Sequence, residues 1–192
     1  MSTRISESKR ALRREVVAVL KAMTVAERKE ASARARALLA AQAEWRAAQS
    51  VLFYAPLAEE LDVWPLAGQA LAAGKRVVLP RFAPETGRYV ACQVKDLALD
   101  LKAGHLGIGE PAAHCAAFCL KSLDLLLVPG VAFDLHGRRL GRGKGYYDQL
   151  LAGAGGVMCG VAFDQQIVRR VPVGPHDIHV NRILTPTRWI GL

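Results

Sequence analysis

The chain has 192 residues, of which 52% are hydrophobic, and its 26 Lys and Arg against 17 Asp and Glu give a net charge of +9. This composition excludes a disordered chain, and a chain of this length buries roughly 70% of its unfolded surface without needing disulfides or a structural metal. The sequence offers no apolar window of membrane-spanning length, no signal peptide and no paired C-x2-C framework among its four cysteines. We therefore expect one cytoplasmic domain, residues 1–192, that is a monomer and does not bind a membrane.

The first 36 residues form the most basic part of the chain, with ten Lys or Arg against four Glu and a net charge of +6. Such a face favours an anionic partner, which could be nucleic acid, a membrane surface or a phosphorylated small molecule, and a solvated helix face is the plain alternative. Lys9 and Arg13 lie four residues apart, so their cations project from one face of a helix.

The N-terminal pattern predicts two consecutive helices. Apolar residues at helical spacing predict the first over residues 8–23. Thr24 and Glu27 then have the spacing of a capping box, which begins a second helix running to about Gln42. We expect an Ala-rich helical hairpin.

Beyond residue 45, short apolar runs alternate with helical patterns. The pattern predicts strands over 51–54, 77–79, 89–94, 123–128 and 157–163, helices over 64–73 and 146–151, and loops over 80–89, 103–113 and 172–179. This alternation predicts a three-layer α/β/α fold with a largely parallel central sheet and helices on both faces. Because ligands of such sheets bind at the carboxyl ends of the strands, the loop after 123–128 is the first place to look for chemistry.

That loop contains a glycine-rich segment in which Gly141, Gly143 and Gly145 alternate with Arg142 and Lys144. Without Cβ atoms, successive backbone N–H groups can form a concave anion site, and the interleaved cations add positive charge. The segment is neither a Walker A loop nor a dinucleotide fingerprint, because Gly145 follows Lys144 and Tyr146 stands where a further glycine is required. It predicts a phosphate site, with a flexible surface turn as the alternative.

Asp148 follows these glycines at the start of the predicted helix. A carboxylate there could hold the Mg2+ that accompanies nucleotide phosphates through one direct bond and several waters. It could equally compensate the helix dipole in the first turn.

The stretch from Asp124 to Leu151, which ends in G-R-G-K-G-Y-Y-D-Q-L-L, resembles the signature of the 5-formyltetrahydrofolate cyclo-ligase family. Four further segments agree in order: K-R-A-L-R at 9–13, E-E-L-D at 59–62, G-I-G-E-P at 107–111 and P-V-G-P-H-D-I at 172–178. Residues 81–92 follow the family pattern only loosely. The resemblance implies an ATP- and Mg2+-dependent cyclisation of 5-formyltetrahydrofolate to 5,10-methenyltetrahydrofolate, in which the N5-formyl oxygen is phosphorylated, N10 attacks, and ADP and phosphate are released.

The resemblance also implies roles for individual residues. Catalytic roles fall on Lys144, Arg142 and Tyr146, and metal ligation falls on Asp148 and Asp177. ATP binding falls on Lys9, Arg10, Arg13, Arg139, Leu140, Gly141, Arg142, Gly143, Lys144, Gly145, Tyr146 and Tyr147. Folate binding falls on Ala55, Glu60, Arg142, Gly143, Lys144, Gly145 and Tyr146, with Glu60 accepting paired N–H bonds from the amino-pyrimidine edge.

Two other functions remain as alternatives. A nucleic-acid-binding module would use the basic N-terminal helix and would bind with strong salt dependence, but the sequence carries no nucleic-acid motif. A kinase or nucleotide-dependent ligase with another acceptor would keep the glycine loop and have no use for Glu60. We expect small-molecule substrates and no nucleic acid.

Overall fold

The computed structural model describes residues 2–104 and 107–192. Its helices are α1 (Ser2–Ala22), α2 (Val25–Ala40), α3 (Ala43–Ala47), α4 (Pro65–Ala72) and α5 (Tyr146–Leu151). Its strands are β1 (Ser50–Leu52), β2 (Arg76–Ala83), β3 (Arg88–Val94), β4 (Leu101–Ala103), β5 (Gly109–Pro111), β6 (Leu125–Pro129), β7 (Ala132–Phe133), β8 (Arg139–Leu140), β9 (Val157–Val161), β10 (Arg182–Leu184) and β11 (Trp189–Gly191).

Seven of these strands form one sheet in the order β11-β10-β9-β6-β1-β2-β3. The five inner strands are parallel to one another, and β3 and β11 pair antiparallel at the two edges. The central strand β6 is apolar along its length, as expected for a parallel strand covered on both faces. The prediction of a largely parallel sheet is confirmed.

Helices cover both faces of the sheet, in unequal number. One face packs against buried residues of α1, α2, α3 and α4, among them Leu20, Leu39, Trp45 and Leu66. The other face packs against Leu150 and Leu151 of α5. The predicted α/β/α fold class is therefore confirmed. Helix α4, which connects β1 to β2, and helix α5, which connects β6 to β9, pack on opposite faces of the sheet. The chain therefore changes winding direction between the neighbouring strands β1 and β6.

The predicted pair of N-terminal helices is present, and the capping box joins them. The Thr24 hydroxyl accepts a hydrogen bond from the Glu27 N–H at 3.2 Å, and the Glu27 carboxylate accepts one from the Thr24 N–H at 2.7 Å. These reciprocal bonds satisfy two backbone donors that the start of α2 would otherwise leave unpaired. The Thr24 N–H and hydroxyl, which both donate to the Glu27 carboxylate, hold the pKa of Glu27 below its usual value.

The strand predicted to end before Pro80 continues through it to Ala83. The pairing of β2 with β1 ends at Val78, and from Leu79 onwards β2 pairs with β3 alone. Pro80 therefore lies where one neighbour is absent, which is where a strand tolerates a missing N–H. As a result, the loop predicted over 80–89 is reduced to the turn at residues 84–87 of a β2–β3 hairpin.

Several short strands were not predicted from the sequence. The predicted loop over 103–113 contains part of the β4–β5 hairpin, and the loop that follows β6 contains the β7–β8 hairpin. These strands are only two or three residues long, too short to show a periodic pattern. The segment 172–179 has no regular structure, as predicted. Among the described residues, no helix is both long enough and apolar enough to span a membrane.

Candidate active site

A cavity of about 880 Å³ lies at the carboxyl ends of β1 and β6, where the winding direction changes. Ligands of open α/β sheets bind in this crevice, and the volume falls within the range of small-molecule sites. The cavity brings together nearly all the predicted site residues: Lys9, Arg13, Ala55, Glu60, Asp177 and the whole run from Arg139 to Asp148. Arg10 is the exception, because it is exposed and does not line the cavity.

Helix α1 contributes two cations from one face, as its spacing predicts. Lys9 Nζ lies 2.8 Å from Asp177 Oδ1 and 2.6 Å from Asp177 Oδ2. Arg13 Nε donates to the carbonyl oxygen of Gly141 at 2.8 Å. The first helix is therefore bonded both to the 172–179 segment and to the glycine loop, and the two cations reach different parts of the cavity.

The β7–β8 hairpin delivers Arg139 to the floor of the cavity. Its turn is held by the fully buried Asp134, whose carboxylate accepts hydrogen bonds from the N–H groups of His136, Arg138 and Val171. Arg139 is only 3% exposed, and its Nη2 donates to Asp148 Oδ1 at 2.6 Å. Its Nε is buried without a hydrogen-bond partner among the described residues. A buried N–H left unpaired is costly.

The lack of side chains at the loop glycines has two effects, one on the backbone conformation and one on the approach of neighbouring groups. Gly143 and Gly145 have φ values of +105° and +69°, which other residues adopt only under strain. A Cβ on Gly141 would lie 3.0 Å from Arg139 Nη1, and one on Gly143 would lie 3.5 Å from Arg13 Cζ. The glycines thus give the loop its shape and let two guanidinium groups approach the backbone.

The two cations within the loop differ in their partners. Arg142 binds Glu60 Oε1 through Nε at 3.2 Å and through Nη2 at 3.0 Å. Lys144 is exposed to the cavity and forms no hydrogen bond or ion pair with a described residue. Lys144 is therefore a mobile positive charge that a phosphate group could attract without breaking an existing bond.

Glu60 lines the cavity from the segment that follows β1. Its side chain is 13% exposed, and its Oε2 accepts a hydrogen bond from the Leu57 N–H at 3.0 Å. Burial and the nearby Glu60 carboxylate raise the pKa of Tyr54 and of Tyr147 above their usual value. The acid thus has two neutral phenols near it, and Ala55 lines the same side of the cavity.

An aromatic cluster that the sequence analysis missed completes this side. The rings of Phe82, Tyr89 and Tyr146 have centroids 5.3 to 5.7 Å apart, mostly in edge-to-face geometry. Tyr89 and Tyr146 line the cavity. Burial, followed by the charge of Glu110, raises the pKa of Tyr89. The loose match of residues 81–92 to the family pattern hid this cluster, and the alternation of Tyr89 with β-forming neighbours was its only local signal.

Asp148 and Asp177 have the chemistry that Mg2+ prefers, because both are carboxylates at the edge of a cation-lined cavity. Asp148 Oδ1 accepts the N–H of Ile178 at 3.2 Å, which ties the two acids together through the backbone beside Asp177. Asp148 Oδ2 accepts no hydrogen bond from a described residue. In Asp177, burial raises the pKa, but the hydrogen bonds from Lys9 and Gly174 outweigh it and leave the pKa below its usual value. Each acid already has a cationic partner, Arg139 for Asp148 and Lys9 for Asp177, so a magnesium ion at this edge would be held mainly by phosphates and water, with Asp148 Oδ2 as the carboxylate oxygen that no described residue occupies.

Other candidate groups lie away from this cavity. Asp100, His114 and Cys115 form the one cluster of three potential metal ligands within the described ranges, and His114 Nε2 lies 2.8 Å from Asp100 Oδ1. The Asp100 carboxylate also accepts the N–H groups of Lys95 and Asp96, so it fastens the chain that leads into β4. All four cysteines are free thiols.

The fold and the cavity together define an α/β protein with a cation-lined cavity at the carboxyl ends of its strands. The family model described as the 5-formyltetrahydrofolate cyclo-ligase family matches residues 5–186. The chain belongs to this family, as the resemblance of its glycine loop indicates.

Named relatives and a solved structure agree with this assignment. The 5-formyltetrahydrofolate cyclo-ligase of Escherichia coli K12 is 34% identical over 145 residues, which cover 73% of this chain and 80% of that protein. The mouse protein of the same name is 27% identical over 192 residues and covers 94% of each chain. The NMR structure of the 5,10-methenyltetrahydrofolate synthetase of Aquifex aeolicus has a TM-score of 0.86 at 33% identity, covering 96% of this chain and 92% of that one.

Proposed function

We propose that this enzyme converts 5-formyltetrahydrofolate to 5,10-methenyltetrahydrofolate with Mg2+ and ATP, releasing ADP and phosphate. The observation that carries the proposal is that one cavity joins a cation-lined glycine loop to an acid and an aromatic cluster. The loop suits a triphosphate, and Glu60 with Tyr89 and Tyr146 suits the flat, N–H-rich head of a reduced folate. Membership of the family supports the folate conversion itself.

The reaction requires the γ-phosphoryl group of ATP and the formyl oxygen of the folate to lie in line with each other. The oxygen of the N5-formyl group is a poor leaving group, so we propose that it first takes the γ-phosphoryl group of ATP. N10 of the same folate then attacks the formyl carbon and releases its proton to solvent, the C–O bond breaks, and phosphate leaves with that oxygen. Phosphoryl transfer depends on positioning and on neutralising charge, so the protein needs no nucleophile of its own.

The residues of the loop have separate tasks in this scheme. Lys144 follows the moving phosphoryl charge because no internal partner restrains it, whereas Arg139, which Asp148 holds in place, contributes a fixed positive charge. The Gly143 and Gly145 backbone shapes the anion site, and Tyr146 links that site to the aromatic cluster. Asp148 and Asp177 would hold Mg2+, which supplies positive charge to the phosphate oxygens.

Single-domain organisation, the monomeric state and the cytoplasmic location stay predictions.

The test is to mix the protein with 5-formyltetrahydrofolate and Mg-ATP and follow the near-ultraviolet absorbance of the methenyl product. Samples without ATP, without folate and with a chelator in place of Mg2+ serve as controls. We expect absorbance to grow only when all three are present. Growth without ATP would contradict the phosphorylation step, and no growth with ATP bound would indicate another acceptor.

The variant Glu60→Gln separates the two substrates. It removes the negative charge that accepts the N–H groups of the pterin head, so folate binding should weaken while ATP binding is kept. Isothermal titration with each substrate alone measures the two affinities. Equal losses for both substrates would remove Glu60 from the folate site.

A further inference from the structure

The Glu60 carboxylate, which is proposed to bind the folate head, already accepts hydrogen bonds from the Arg142 side chain. Glu60 Oε1 accepts both Nε and Nη2 of Arg142, at 3.2 and 3.0 Å, and Glu60 Oε2 accepts the Leu57 N–H. A guanidinium group presents a planar fork of N–H donors, as does the amino-pyrimidine edge of a pterin. The two groups therefore compete for Glu60 Oε1.

We propose that Arg142 is an internal competitor for the folate head, and that folate binding displaces it from Glu60 and frees it for the phosphates of ATP. This inference rests on the proposed function, because it assigns the pterin to Glu60 and the triphosphate to the glycine loop. Arg142 thereby couples the two sites: occupation of one site supplies a cation to the other.

Arg142 has the freedom that this exchange requires. Its side chain is 49% exposed, its further charged neighbour is Glu59 Oε2 at 4.0 Å, and it lies between two glycines. The loop itself is anchored on one side of Arg142, where Arg13 Nε binds the Gly141 carbonyl oxygen. The side chain can therefore move while the backbone stays close to Arg13.

Arg139 provides the contrast within the same cavity. It is 3% exposed, and it is held by Asp148 at 2.6 Å. A guanidinium so enclosed contributes a constant charge, whether or not folate is present. The Arg142–Glu60 ion pair is half-exposed on the arginine side, so water competes for the guanidinium group and weakens the attraction. The ion pair can therefore form when no folate is bound, and folate can replace Arg142 when it binds.

The coupling can be measured with ligands that do not react. The pterin probe is 6-methyltetrahydropterin, which carries the amino-pyrimidine edge without the anionic tail of folate. The nucleotide probe is β,γ-methylene ATP with Mg2+, titrated with and without 5-formyltetrahydrofolate. In the wild type we expect 5-formyltetrahydrofolate to tighten binding of the nucleotide probe.

The variant Arg142→Ala should change three quantities at once. Affinity for 6-methyltetrahydropterin should rise about two- to fivefold, the range given by the loss of an exposed ion pair. Affinity for the nucleotide probe should fall, and its dependence on 5-formyltetrahydrofolate should disappear. Arg34→Ala is the matched control, since Arg34 is exposed, pairs with Glu30 at 2.6 Å and does not line the cavity. It should alter none of the three.

If Arg142 only attracted the substrates, Arg142→Ala would lower the affinity for 6-methyltetrahydropterin instead of raising it. If Arg142→Ala leaves the pterin affinity unchanged or weakens it, or if the coupling persists, the inference is overturned while the proposed function stands. If the wild type forms no methenyl product in the absorbance test, the proposed function fails and takes this inference with it. The two failures are therefore read from different measurements.

Discussion

The two walls of the cavity are built in contrasting ways. One wall, here the loop wall, is the continuous run from Arg139 to Asp148, and it carries glycines, cations and an acid within ten residues. The other, here the hairpin wall, combines Tyr89 of the β2–β3 hairpin with Ile108 and Gly109 at the start of β5. The first wall is one segment of sequence, and the second is assembled from separate segments by the fold.

This difference corresponds to the chemistry proposed for each wall. Phosphate needs backbone N–H groups and positive charge close together, which a short glycine-rich segment can supply by itself. A flat folate head needs shape, and shape arises from rings that tertiary packing brings into contact. Braces such as Glu110 Oε2, which accepts the Phe82 N–H at 3.0 Å, hold the hairpin wall in place. The two walls should therefore respond differently to substitution.

The largest effect should come from the loop wall at Lys144. We expect Lys144→Ala to lower kcat/KM about 10- to 150-fold, because the loss of a charge-assisted contact to phosphate costs about 1.5–3 kcal/mol. Initial rates of methenyl formation at varied ATP and folate measure it. The unfolding temperature should stay unchanged, because Lys144 binds no described residue. An unchanged kcat/KM would remove Lys144 from the catalytic group.

A smaller effect is expected where the loop wall depends on backbone shape. Gly143→Ala places a side chain at φ +105°, and such conformations cost L-residues about 1–2 kcal/mol, so affinity for ATP should fall about 5- to 30-fold. Gly74→Ala is a matched control, since Gly74 has φ +76° and open space around it, at the end of α4 away from the cavity. It should lower stability and leave ATP affinity intact. Equal ATP affinity in both variants would show that the loop adapts.

The loop wall was predictable from the sequence because its information is local. The alternation of Gly141, Gly143 and Gly145 with cations indicates an anion site, and the structure places all of them in one cavity. The resemblance to a family added Lys9, Glu60 and Asp177, which lie far from the loop along the chain. Arg10, on the same segment as Lys9, is outside the cavity because one residue along a helix turns the side chain to another face.

The hairpin wall was not predictable, because its elements are short and its contacts are distant. The β4–β5 hairpin has three residues in each strand, and Pro80 suggested the end of a strand that in fact continues. Contact between Tyr89 and Tyr146 depends on α5 packing against β3, which periodicity alone does not show. The same reason hid the Arg142–Glu60 pair, whose partners are 82 residues apart.

At the hairpin wall, Tyr89→Leu should affect folate and leave ATP unchanged. The substitution removes a ring that lines the cavity, and an aromatic contact with the folate head contributes about 0.5–1.5 kcal/mol, so folate affinity should fall about 2- to 12-fold. Phe118→Leu, which removes a partly buried ring outside the cavity, is the control for lost packing. Separate titrations of the two substrates distinguish the walls. A parallel loss of ATP affinity would mean that the walls do not act independently.

The smallest effect concerns how the hairpin wall is fastened. Hydrogen bonds from His114, Lys95 and Asp96 lower the pKa of Asp100 to about 2. Because the folded-state pKa lies below the unfolded value of about 3.9, the ionised carboxylate stabilises the fold above that value and loses its contribution as the pH falls towards 2. We expect Asp100→Asn to lower the urea midpoint slightly at pH 6, and the difference from wild type to shrink at pH 3. Asp100 forms no hydrogen bond with a described residue of the loop wall, so ATP affinity at pH 7 should be the same in the variant and the wild type. A urea difference that persists at pH 3 would show that the shape of the side chain, and not its charge, fastens β4.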